Sequence, residues 1–173
     1  MACDIISGIK KSCKASLGGN SAVYLFNFVP DAFTVSAGTA TGISTGITQV
    51  YSYEITGDGS TLQEVLTSSR ETGTSTNLQT LVMVLKGISI AAGNTLNTLA
   101  YGTTNAVVKD RNGIYHCLGL LDGFDFTVDQ VTGGVKTDLN GYTVTGIATT
   151  GALSPKMDAS TIAAFLALVQ PNP

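Results

Sequence analysis

Between residues 106 and 148 the chain repeats one pattern, in which short runs rich in Val, Tyr, Phe and Thr are broken by tight-turn signals. Residues 106–109 lead into Asp110-Arg111-Asn112-Gly113, and 114–121 return. Asp122-Gly123 then turns the chain into 124–129, and a Gly-rich stretch at 131–134 and Asn140-Gly141 precede the alternating run 142–148. Asn-Gly and Asp-Gly suit hairpin turns because both residues tolerate positive φ, while β-branched and aromatic side chains fit a pleated surface. The spacing predicts an antiparallel meander, whose natural closure is a sandwich or barrel.

The upstream segments agree. Residues 22–28 follow the Gly18-Gly19-Asn20 turn, are closed by Pro30-Asp31, and are apolar on both faces, which predicts a central strand. Residues 49–55 alternate, and 78–86 form the strongest core strand. Gly57-Asp58-Gly59 reads as a tight turn, because the Asp/Asn and terminal Glu spacing of a calcium loop is missing. Two helices interrupt the strands. Ser89 can cap a helix over 91–100, with Leu96, Leu99 and Ala100 on one face and Gly102 as its stop; Gly93 inside it costs about 1 kcal/mol relative to Ala. Asp158 or Ser160 can cap a second helix over about 158–169, with Ile162, Phe165, Leu166 and Val169 on one side and Pro171 and Pro173 beyond it. Its other side carries Ala163, Ala164 and Ala167 instead of charges, so it reads either as a core helix or as a tail that docks on a neighbour. The expected fold is therefore mainly β, an antiparallel barrel or sandwich with one short internal helix and a C-terminal helix, in a single domain spanning residues 1–173.

Composition now constrains function. Charged residues make up 12% of the chain, against about 25% in ordinary soluble domains. Because charges are depleted where surfaces are buried against partners, this points to extensive interface. The deficit is concentrated: residues 34–48 and 142–153 contain no charge at all. The first of these holds three glycines, Gly38, Gly42 and Gly46, and reads either as a flexible loop or as a hairpin or arm that orders only on a neighbouring subunit. The apolar members of the two segments, Val35, Ile43, Ile47, Tyr142, Val144 and Ile147, are the candidate inter-subunit contacts. No apolar run reaches the roughly 18 residues of a spanning helix, and the start of the chain, with Lys10, Lys11 and Lys14, lacks the apolar core of a secretory signal.

Known chemistries find little purchase. A net charge of −3 and nine scattered basic residues argue against a sequence-specific DNA binder, although mild negative charge lets DNA pass without sticking. Cys3, Cys13 and Cys117 show neither CxxC nor Cys/His spacing, so no metal is expected; they read as buried thiols, with a Cys3–Cys13 disulfide as the alternative. His116 is the only histidine, and strand alternation sends it to the face opposite Cys117. A structural histidine is expected there. Asp122, Asp125 and Asp129 are too spread to mark a carboxylate pair, and no phosphate loop, GxSxG, HExxH or dinucleotide fingerprint occurs. The chain is expected to be no enzyme and to need no cofactor.

From Leu78 onward the order of features resembles bacteriophage tail tube proteins, the β-barrel family that includes siphophage and myophage tubes and contractile-injection inner tubes. The long strand 78–86 is followed by a short helix ending Leu99-Ala100-Tyr101-Gly102 and by the Val108-Lys109-Asp110-Arg111-Asn112-Gly113 hairpin. Leu-Gly-Leu-Leu-Asp-Gly at 118–123 and Asp-Leu-Asn-Gly-Tyr-Thr-Val-Thr at 138–145 complete the block. Small tail-tube-like virion proteins also open on Met-x-Cys and a Gly-Gly-x-x-x-Val-Tyr strand, as Met1, Cys3, Gly18-Gly19 and Val23-Tyr24 do here. The Ala-rich C-terminal helix has no place in that pattern. The resemblance implies a virion protein made in the cytoplasm of a bacterial host, whose copies form a ring, usually a hexamer. Inner strands would continue around a lumen, and rings would stack into a tail tube with other virion proteins at its ends or outside. DNA would be met only in transit, and no membrane is entered. Residues 34–48 would supply the inter-ring or inter-subunit arm. A head decoration or connector protein is the alternative role within the virion. A carbohydrate-binding β-sandwich is the alternative outside it, disfavoured by the absence of Trp.

Overall fold

The apolar runs fold into two sheets. The structure is a computed structural model that describes residues 7–10, 14–55 and 59–172. In chain order, β1 (Asn20–Asn27) is followed by the hairpin of β2 (Phe33–Ser36) and β3 (Thr39–Ile43), then by β4 (Val50–Tyr53). The long hairpin of β5 (Thr61–Ser69) and β6 (Thr74–Lys86) leads to helix α1 (Ile90–Tyr101). After it come β7 (Thr104–Asp110), β8 (Tyr115–Leu118), β9 (Asp125–Val131), β10 (Gly141–Thr150), β11 (Lys156–Met157), helix α2 (Ala159–Leu166) and β12 (Val169–Gln170). The protein is mainly β with two helices, as its sequence pattern requires. The larger sheet runs β12-β4-β1-β7-β8-β11-β3-β2 and the smaller β5-β6-β10-β9. All pairings are antiparallel except β12 with β4 and β11 with β3.

The eight-stranded sheet is buried on both faces. One face joins the four-stranded sheet and α1 in a core that includes Val23, Leu25, Leu81, Met83, Leu96, Phe124 and Val144. The other curls around α2, whose Phe165 is fully buried against Tyr24, Phe26 and Phe33 at ring-centroid distances of 5.7, 6.0 and 6.2 Å. This explains why β1 is apolar on both faces and lies inside the sheet, as its sequence predicts.

The meander expected over 106–148 is two hairpins in two different sheets. β8 pairs with β7 and β11, whereas β9 pairs with β10. The chain changes sheets at Gly119 and Gly123, both at positive φ, and the Phe124 amide donates to the Thr104 carbonyl at 2.7 Å. A Cβ at Gly123 would overlap the Thr103 side chain, and one at Gly146 would overlap the Phe126 ring. The cause of the crossing is hydrophobic: Phe124 and Phe126, stacked at 5.6 Å, are buried between the sheets. A turn signal reports where the chain reverses and not which sheet it rejoins.

Both helices begin where expected. The Ser89 hydroxyl accepts from the Ala92 amide, and Gly102 ends α1 by donating to the Thr98 and Leu99 carbonyls. Asp158 caps α2 through the Thr161 amide at 2.7 Å. However, α2 stops at Leu166 and does not continue to 169, because Val169 and Gln170 pair in parallel with Val50 and Tyr51. Its buried Phe165 makes it a core helix.

Candidate assembly surface

Period-two alternation divides the four-stranded sheet into a buried and an open face. On β6, Asn77, Gln79, Leu81 and Met83 are buried, while Leu78, Thr80, Val82 and Val84 point away from the core. The register sets Thr61, Val82, Thr145 and Thr127 in one row across the open face and Gln63, Thr80, Ile147 and Asp125 in the next. Val65, Leu78 and Thr149 follow. No element among the described residues covers this face, and Val65, Leu78 and Ile147 are each about half exposed, at 45%, 44% and 50%. Its charges lie at the margin: Asp125 and Asp129 on β9, and Lys86 at the end of β6.

Both edges of this sheet, β5 and β9, are unpaired among the described residues. Three antiparallel junctions separate them, so the two edge strands run in opposite directions. An open edge is a template for another strand unless charge, proline or a bulge blocks it. β5 holds one charged residue, Glu64, and that side chain points inward.

Glu64 is the polar node that fixes β5. Its Oε1 accepts from Asn77 Nδ2 at 2.9 Å, Gln79 Nε2 at 3.0 Å and the Ser154 amide at 2.9 Å, and its Oε2 accepts from Ser154 Oγ at 2.7 Å. Burial would raise this carboxyl, but the hydrogen bonds from Ser154, Asn77 and Gln79 outweigh it and hold the group below the usual carboxylate range. Gln79 Oε1 in turn accepts from the Gly119 amide at 2.9 Å, so the node reaches the crossover between sheets. An Asn and a Gln on the inner face of a core strand are visible in the sequence as breaks in an apolar run, but their common acceptor is thirteen and fifteen residues away.

The structure separates the six expected contact residues. Val35, on edge strand β2, and Ile147 are half exposed. Ile43 is partly buried against the α2-side core. Ile47, Tyr142 and Val144 are buried in their own protomer, at 4%, 3% and 0% exposure, and offer nothing to a partner. Absence of charge marks burial of either kind, within a chain or between chains. Residues 34–48 carry most of the β2–β3 hairpin, the form that one of the two sequence readings gave them, and it packs on its own chain through Phe33, Ala40 and Ile47 in that same core instead of forming a flexible loop. The hairpin that projects is β5–β6: its residues 67–69 and 74–76 extend past the end of β10 and pair only with each other.

Chemistry elsewhere is sparse. His116 Nε2 lies 3.8 Å from Asp110 Oδ2; burial and the nearby Lys156 lower its pKa despite Asp110 and Glu64. Cys117, on the opposite face, is buried with its thiol pushed up to about 12, which leaves it a poor nucleophile. Cys3 and Cys13, and the Gly57-Asp58 turn, lie outside the described residues. No cluster of three metal-ligating side chains occurs among the described residues. No helix there is long and apolar enough to cross a membrane. An open groove of about 630 Å³ runs between β1, β4 and the C-terminal segment, lined by Tyr24, Ser52, Glu54 and Gln170 among others. No protein-family model, no curated protein and no solved structure matches the chain.

Proposed function

We propose that this protein is a structural subunit of a phage tail tube, whose copies join through the four-stranded sheet into a ring, a hexamer by the family resemblance, and stack into a conduit for DNA. One observation carries the reading: a four-stranded antiparallel sheet with two open, oppositely directed edges and an uncovered face with almost no charge. Joining β9 of one copy to β5 of the next keeps the sheet antiparallel at every junction, and a heterologous contact of this kind closes when the rotation per copy divides a full turn. The open face then lines the lumen. Threonine hydroxyls wet that wall, and Asp125 and Asp129 make it mildly repulsive to phosphates, so DNA slides without being held. The projecting tip of β5–β6 is placed to reach a neighbouring ring.

Negative-stain microscopy of the purified protein tests this directly. Rings or tubes with a central hole are expected. A monodisperse monomer at high concentration, across low and high salt, overturns the reading, and single rings that never stack would favour a connector.

A further inference from the structure

Resting on that reading of the sheet edges, we propose that the groove between α1 and β9 receives the Leu66 side chain of a second copy of this chain. Leu66 points to the core side of its strand, in phase with Leu62 and Glu64. Leu62 packs on its own core and Glu64 is tied to Asn77, Gln79 and Ser154, but Leu66 is 49% exposed. It is a core-facing leucine with no core beneath it. The matching vacancy is at the other edge of the sheet: a groove of about 420 Å³ beside β9, lined on the α1 side by Gly93, Leu96, Asn97 and Ala100 and on the β9 side by Phe126 and Val128, among others.

Strand arithmetic brings the two together. An antiparallel junction that keeps the faces of the sheet continuous must oppose inward residues to inward residues, so Leu66 falls opposite Phe126, Val128 or Gln130, whichever register is used. All three line the groove. Charge agrees with the match. On the other face of β9, Asp129 meets Gln63, Val65 or Thr67, and Asp125 meets Thr67 or Ser69 in the Phe126 and Val128 registers but Glu71 in the Gln130 register, so charge selects the first two, in which Arg70, just beyond β5, arrives at the Asp125 end of β9. Gly93 fits the same picture, because a side chain there would project toward the groove wall at Tyr142 Oη.

The test uses the full chain with Cys3 and Cys13 replaced by Ser, carrying either Leu66→Cys or Asn97→Cys; the two variants are mixed, assembled and treated with a short bismaleimide. Covalent dimers are expected from the mixture and not from either variant alone. Separately, Leu66→Asp should abolish rings while leaving the urea unfolding midpoint of the protomer unchanged. Particles that form normally but give no 66–97 cross-link, together with intact Leu66→Asp rings, overturn the groove contact and leave the ring standing. If the unmodified chain forms no particle at all, the ring reading fails and the groove contact fails with it.

Discussion

The two sheets have been given opposite solutions to the same problem. The eight-stranded sheet buries both faces inside one protomer, the second of them by curling around α2 with Phe165 at the centre of an aromatic cluster. The four-stranded sheet buries one face and leaves the other open, uncharged over most of its area and bounded by unpaired edges. Both sheets therefore share the core between them, the first adds a second core around α2, and the second leaves apolar surface uncovered. A substitution should reveal which of these it touches by whether unfolding or assembly changes.

The largest effect belongs to the covered sheet. Phe165→Ala removes a ring buried on all sides and should cost about 3–5 kcal/mol, read as a lower urea midpoint; an unchanged midpoint would mean that α2 is dispensable and that the second core is not a core. Glu64→Ala leaves the Gln79 side-chain amide and the Ser154 backbone amide without their acceptor at the inner face of the open sheet, while Asn77 keeps the Ala152 carbonyl, at a cost of roughly 2–4 kcal/mol in the same assay. The sign of its pH dependence follows from the depressed pKa. The contribution is present above the unfolded value of 4.5 and is lost as pH falls through the lower folded value, so the difference between wild type and variant should shrink in acid. His116 acts at higher pH and more weakly. Its folded pKa lies below 6.5, so the unfolded chain takes up the proton first and stability falls as pH drops below 6.5; His116→Gln should flatten that decline in a thermal-melt series. The smallest effect on the fold sharpens the comparison most: Ile147→Glu on the open face should change the monomer's stability by no more than about 0.5 kcal/mol, yet reduce particle formation seen by sedimentation. A large loss of monomer stability would show instead that the open face is part of the folded core.

Much of the architecture was legible along the chain because its signals are local. Ser89 and Asp158 announce the helices through side chains that bond amides a turn away, and Val/Tyr/Phe runs between Gly turns announce strands. Residues 142–148 read as a strand with two distinguishable faces, but nothing local says that Tyr142 and Val144 look into the protomer while Ile147 looks out. Residues 34–48 look like a linker because Gly and Thr dominate them, yet pairing with β11 and packing under α2 hold them in place. The hairpin that projects is β5–β6, whose polar tip offers no hydrophobic pattern to draw the eye.

By itself, then, the sequence determined that this chain is a β protein with two short helices, where the turns between residues 106 and 148 fall, and that little of its surface can be ordinary charged surface. Those properties follow from backbone geometry and side-chain chemistry within a few residues. Only the tertiary structure decided that the strands divide between two sheets at Gly119–Gly123, that Glu64 gathers donors from three distant residues, and which uncharged residues lie inside the protomer and which remain open. Burial is a property of what packs against a residue, and in this chain most partners are far away in sequence.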